Sequence, residues 1–129
     1  MKTVLFVCIE NSCRSQIAEA FARIHGSTVI EPYSSGSRPS GIVNPKGIAS
    51  MKEIGYDMAV HRSKPLSEVP DIEYDYLITM GCGDACPFVR AQHREDWDIP
   101  DPGNMDEEAF RRVREMIEEK VMGLVLSLS

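Results

Sequence analysis

The sequence predicts an α/β domain on a parallel sheet with helices on both faces, and three observations carry that prediction. Short apolar runs of strand length alternate with longer segments whose apolar residues recur every three or four positions. The first run, Thr3 to Cys8, is continuously apolar and valine-rich, as a strand covered on both faces requires. No internal repeat, linker or low-complexity stretch interrupts the alternation, so the 129 residues are expected to form a single three-layer domain, 1–129.

Each element follows from its local pattern. After the first strand, Ile17, Phe21 and Ile24 mark one face of a helix that Gly26 is placed to end. Thr28 to Tyr33 reads as a second strand, weakened by Pro32, and Ser34 to Gly41 as a loop. Asn44 and Pro45 form a cap and first-turn pair for a helix that carries Ile48 and Met51 inward and stops at Gly55. Tyr74 to Met80 is a third strand, running into Gly81-Cys82-Gly83, and a short fourth is expected near Asp96 to Ile99. From Asp106, the spacing of Phe110, Val113, Ile117, Val121 and Leu124 predicts a long terminal helix. The expected sheet is therefore four-stranded and parallel.

Composition narrows the function classes. A formal charge of -6 argues against a nucleic-acid surface, which needs a basic face. No apolar run approaches the roughly 20 residues that cross a bilayer. The N-terminal apolar run stops at Ile9, before Glu10, Asn11 and Arg14, and reads as a buried strand rather than a signal peptide. A cytoplasmic location is expected, where four cysteines are poorly suited to two structural disulfides. Zinc bound by Cys82, Cys86 and His93 would need a fourth ligand. No finger-like pair supplies one, and His25 and His61 are isolated, so no metal is expected and the histidines read as surface or capping residues.

In an open parallel sheet, ligands bind beyond the carboxyl ends of the strands. Cys8, Cys82 and Asp101 all follow expected strands and so converge on that edge. The stretch from Cys8 to Ser15 wraps a short polar loop that opens a helix, and its amides can form an anion cradle at the positive helix end. Glu10, Asn11, Ser12, Cys13, Arg14 and Ser15 are the candidate binding residues. Arg14 supplies a planar fork for two oxygens of a tetrahedral oxyanion. The same field is expected to favour a thiolate at Cys8 and make it nucleophilic. Ser15 can donate to that sulfur, Asn11 can brace the loop, and Cys13 is expected to pack beneath it. Asp101 before Pro102 can be a turn residue or an acid on these grounds.

The stretch "VCIENSCRSQIAEAF" resembles the signature of the low-molecular-weight protein tyrosine phosphatase fold, and more closely that of thioredoxin-coupled arsenate reductases built on it. The resemblance extends through "YSSG" at 33–36, "VNPKGIASMKEIG" at 43–55, "YDYLITMGC" at 74–82, "DWDIPDP" at 96–102 and "FRRVREMIEE" at 110–119. It implies a low-molecular-weight phosphatase-like α/β/α domain, and roles residue by residue. Cys8 would attack arsenate held by the loop and Arg14, and Asp101 would protonate the departing oxygen. Cys82 would attack Cys8 to release arsenite, and Cys86 would take over the bridge and present it to thioredoxin. Phosphate or sulfate would occupy the loop as analogues.

Where the chain departs from the resemblance, further expectations arise. The separation Cys82-x3-Cys86 is shorter than the usual relay spacing, and Glu10 stands where the loop often has glycine. Some relatives bind potassium through positions corresponding to Asn11, Glu19, Ser34, Arg62, Ser63 and Lys64. Arg62 and Lys64 are poor cation ligands, so no potassium requirement and no cofactor are expected. The rival reading is a phosphotyrosine phosphatase, but such enzymes usually carry tyrosines after the Asp-Pro, where this chain has Gly103-Asn104. A non-enzymatic oxyanion or redox sensor would keep the loop and have no use for Cys82 and Cys86.

Overall fold

Strand β1, Lys2–Cys8, sits between β2, Ile30–Gly36, and β3, Tyr74–Thr79, and β4, Ala91–Asp96, extends the sheet beyond β3. All three pairings are parallel, with Leu5 opposite Tyr33 on one side and Leu77 on the other. The computed structural model describes residues 1–81 and 88–129; the sequence-based expectations for Cys82 and Cys86 lie outside them.

Alternation along β1 separates two apolar layers. Val4 and Phe6 face a core shared with Ile17 and Phe21 of helix α1, Arg14–His25, with Met51 of α2, Pro45–Lys52, and with Phe110, Val113 and Ile117 of α3, Glu107–Leu128. Leu5 and Val7 face a smaller cluster with Val69, Leu77 and Val89, flanked by Leu66 of a 3₁₀ turn at Leu66–Glu68. Among the described residues, the layer on that face is this 3₁₀ turn and its neighbours, whereas the three α-helices share the other face.

Two strand boundaries differ from expectation. The second strand runs on through the serines to Gly36, because Ser34, Ser35 and Gly36 continue the ladder with Phe6, Val7 and Cys8. Pro32 is tolerated inside it because β2 is an edge strand with one side unpaired. The fourth strand is Ala91–Asp96, upstream of the expected Asp96 to Ile99. Its sequence, AQHRED, lacks an apolar face because it forms the other edge, where charge protects an open ladder. The apolar residues that suggested a strand, Trp97 and Ile99, instead bury in the core from the following loop.

The cap of α2 matches expectation, although the helix stops at Lys52, short of the expected Gly55, and α3 begins at Glu107, just after Asp106. The Asn44 side chain accepts from Lys46 N–H with Pro45 at the first turn, and Asp106 accepts from Ala109 N–H.

Candidate active site

The loop from Ile9 to Cys13 joins the end of β1 to the start of α1, and its carbonyls are pulled outward. Arg38 N–H donates to Ile9 O (2.8 Å), Ser40 N–H to Glu10 O (3.1 Å) and Asn44 N–H to Ser12 O (2.8 Å). Gln16 Nε2 donates to Asn11 O at 3.0 Å. A trans peptide sets each carbonyl opposite the next N–H, so these bonds turn the amides of Glu10, Asn11, Ser12 and Cys13 toward the inside. Asn11 takes the left-handed conformation (φ 50°), which asparagine tolerates better than most residues. Gly36 lets β2 pass this close, since a Cβ there would lie 2.7 Å from Ile9 O.

A buried polar network orients the groups behind Cys8. Lys64 N–H donates to Asn11 Oδ1 (3.0 Å), so the Asn11 amide must present Nδ2 to Ser15 Oγ, 2.7 Å away. Ser15 Oγ accepts there, and its own proton is free for Cys8 Sγ at 2.9 Å. Gln16 Nε2 also reaches Asn11 Oδ1 (2.9 Å) and Arg62 O (2.7 Å), leaving Oε1 to accept from His61 Nδ1 at 2.9 Å. His61 Nε2 then faces Tyr56 OH at 2.6 Å. Burial holds the His61 imidazolium below its usual pKa range, opposed by the charge of Glu19.

Cys8, Ile9, Glu10, Ser12, Cys13, Arg14 and Asp101 line a cavity of about 120 Å3 over the loop. Arg14 is nearly buried, and its Nη1 donates to Ile99 O (3.1 Å), which leaves Nε and Nη2 for an anion. Asp101 Oδ1 accepts from Gly103 N–H (3.0 Å), so the residue shapes its turn as well as lining the cavity. Burial, followed by the charge of Asp101, pushes the Cys13 thiol up to about 12.

Behind the loop, Lys64 Nζ lies 3.8 Å from Glu19 Oε1 and donates to Ser34 Oγ and Arg62 O, each at 3.3 Å. Ser34 Oγ also donates to Glu19 Oε1 at 2.6 Å. The ammonium group thus meets Glu19, Ser34 and Arg62, three of the positions that the resemblance associates with potassium, while Asn11 Oδ1 takes the Lys64 backbone N–H instead. Ser63 Oγ instead donates to Glu10 O (2.8 Å) and accepts from Gly41 N–H (3.1 Å).

The structure brings Cys8, Glu10, Ser12, Cys13, Arg14 and Asp101 to one cavity and sets Asn11 and Ser15 behind the nucleophile as braces. Among the described residues, no group of three or more His, Cys, Asp or Glu is arranged to hold a metal ion. Two residues were not anticipated. Gln16, fully buried, ties the loop to the 61–64 segment. His61, expected at the surface, has a side chain only 5% exposed and orients Gln16. Neither leaves a local sequence signal, because each bond spans about 45 residues.

A parallel sheet whose central strand ends in cysteine, followed by an amide-lined loop and an arginine that opens a helix, defines a class of α/β proteins with a cysteine–arginine anion loop. The chain belongs to the low molecular weight phosphotyrosine protein phosphatase family, whose profile matches residues 3–129. It is 40% identical over 132 residues to a glutaredoxin arsenate reductase of Synechocystis sp., covering 100% of both chains. A solved structure of an arsenate reductase in the phosphate binding state is 39% identical, with a TM-score of 0.90 over 100% of both chains. A thioredoxin-dependent arsenate reductase of Corynebacterium glutamicum is 34% identical, with a TM-score of 0.76, covering 99% of this chain and 62% of that one.

Proposed function

We propose that the chain reduces arsenate to arsenite, and that Cys8 is the nucleophile. The observation that carries the reading is the Ser15 hydroxyl, oriented through Asn11 onto Cys8 Sγ at the floor of a cavity shared by Arg14 and Asp101. The full-length likeness to proteins named arsenate reductase supports the choice of oxyanion.

The steps balance as follows. Arsenate sits in the loop with its oxygens on the inward amides and on Nε and Nη2 of Arg14. Cys8 Sγ bonds to arsenic while one As–O bond breaks, and Asp101 gives its proton so that the oxygen leaves as water. The Cys82 thiolate then attacks Cys8 Sγ. An S–S bond forms, the S–As bond breaks, and its electron pair stays on arsenic, which leaves as arsenite. Two thiols have supplied the two electrons. Cys86 attacks Cys82, freeing Cys8, and a protein dithiol reduces the Cys82–Cys86 bridge.

Thioredoxin is the donor that this scheme takes, and the name of the Synechocystis relative makes glutaredoxin its rival. Lys64 supplies the positive charge behind the loop, so the reading includes no potassium requirement; exchanging sodium for potassium in the assay tests it. Reducing thiols suit a cytoplasmic setting, and no helix among the described residues is long and apolar enough to cross a membrane.

The test is arsenate-dependent NADPH consumption with thioredoxin and its reductase, compared with glutaredoxin, glutathione and glutathione reductase. Turnover with thioredoxin is expected, turnover only with glutaredoxin replaces the donor, and turnover with neither overturns the reductase. In the same assay, Cys86→Ser is expected to stop after one turnover with a Cys8–Cys82 disulfide. Cys82→Ser should stall at the arsenic adduct. Family membership favours a second reading, phosphotyrosine hydrolysis through a Cys8 phosphoenzyme. It would need neither later cysteine, so aryl phosphate hydrolysis persisting in both variants identifies it as a property of the loop alone.

A further inference from the structure

Gly81 follows the end of β3 and adopts φ +75°, a conformation that disfavours a side chain. The space beside it is taken as well. A Cβ at Gly81 would lie 2.5 Å from Arg14 Nη1 and 3.6 Å from Arg14 Cζ, with Ile99 O 3.9 Å away. The first distance is far inside van der Waals contact, so the guanidinium would have to move. Its present seat is defined on two sides, by the bare Cα of Gly81 and by the Ile99 carbonyl that accepts from Nη1. That seat aims the remaining edge of the fork, Nε and Nη2.

We infer that Gly81 is a positioning residue for oxyanion binding: its missing side chain is the wall against which the Arg14 fork is set. The inference rests on the reading of Arg14 as the anion fork. A side chain at 81 would be accommodated by the flexible arginine rather than by the sheet, so the fold survives while the anion loses a charge-assisted contact. Cys8 keeps Ser15 as its hydrogen-bond partner, because neither the Cys8–Ser15 bond nor the Asn11–Ser15 bond involves Arg14 or Gly81. Gly81 immediately precedes Cys82 in sequence, so the seat of the anion fork and the resolving cysteine share one stretch of backbone.

The experiment measures inorganic phosphate protecting Cys8 from iodoacetamide, read by mass spectrometry of the Cys8 peptide. It needs no arsenate turnover, so it stands even if the reductase reading fails. Gly81→Ala and Gly81→Asn are both expected to raise the apparent Kd for phosphate by roughly 10–100-fold, the worth of one charge-assisted hydrogen bond. The alkylation rate without phosphate is the reference for each variant, since moving Arg14 also changes the field at Cys8, and the phosphate concentration that halves that rate gives the apparent Kd. Asparagine tolerates the left-handed region but still carries a Cβ, so it separates the steric clash from backbone strain. Gly55→Ala is the control, because Gly55 has φ +87° and open space where a Cβ would go. Its phosphate affinity should be unchanged. Phosphate binding intact in both Gly81 variants, or loss confined to the alanine variant, would each overturn the inference.

Discussion

Asn11, Ser15 and Gln16 behind Cys8 are fully buried, and each is hydrogen-bonded to another member of the loop network. On the outer surface of α2 and α3, Glu53 also gathers several polar bonds: Arg111 grips its carboxylate with Nε and Nη2, and Arg114 Nη1 adds a contact at 2.7 Å. The two clusters look alike as contact lists and differ in surroundings. The loop network is shielded from water, so a lost partner strands a polar atom that nothing else can satisfy. Water and salt compete for the Glu53 cluster, and a lost partner there is replaced. Substitutions should therefore matter in proportion to enclosure and to closeness to Cys8, not to the number of bonds drawn.

The largest effect is expected at the nucleophile. Cys8→Ser should abolish both arsenate reduction and any aryl phosphate hydrolysis, since a hydroxyl cannot replace the sulfur as attacking group. Arg14→Lys should be severely impaired although it preserves charge, because a point charge cannot take two oxygens with one planar fork. Appreciable turnover by purified Cys8→Ser would sink the assignment of the site.

Next comes Asp101, which shares the cavity with Cys8 but stands outside the buried network. Asp101→Asn should slow adduct formation by about 10²–10⁴-fold, the usual value of a positioned general acid. An aryl phosphate with a poor leaving group is the better substrate, since an activated one needs no proton. A rate near that of the unaltered protein would reduce Asp101 to the turn role that its bond to Gly103 N–H already gives it.

What could be read from the sequence divides along the same line as the two clusters. The strand, loop and helix around Cys8 are contiguous, so their chemistry was visible as spacing. Asp101 was placed by its position after a strand, although that strand was expected five residues late. The edge strand Ala91–Asp96 escaped because its exposed side chains carry no apolar period, while Trp97 and Ile99 imitated one from a loop. His61 and Gln16 escaped for another reason: a hydrogen bond between residues distant in sequence leaves no trace in either neighbourhood. The Glu53 clasp escaped in the same way, since Arg111 and Arg114 lie about 60 positions away.

His61 gives the buried cluster a pH signature. Its folded-state pKa is lowered, first by burial, while the unfolded chain keeps the ordinary value near 6.5. Below that value the unfolded chain takes up a proton that the native imidazole resists. Stability should then fall as pH drops below 6.5, by at most about 1.4 kcal/mol per pH unit for one proton. His61→Phe should remove this slope while lowering stability at pH 7.5, because Gln16 Oε1 loses its donor. Urea titrations of both proteins at pH 7.5 and 5.5 measure the difference, and an unchanged slope in the variant would assign the pH dependence elsewhere.

The smallest effect is expected at Glu53, although its shift is large. Bonds from Arg111 and then Arg114 lower the carboxyl pKa from 4.5 to about 2. A depressed carboxylate contributes stability above its unfolded pKa and loses it as pH falls, here between about 4.5 and 2. At neutral pH that contribution is fully present, yet the group is open to solvent, so competing water and ions discount it. Glu53→Gln should therefore move the urea midpoint little at pH 7, and less in 1 M salt than in dilute buffer. The variant should also lose less stability than the unaltered protein on acidification below pH 4.5. A midpoint shift as large as that of His61→Phe, and insensitive to salt, would show that the clasp between α2 and α3 behaves as an enclosed network. Enclosure would then not be what separates the two clusters.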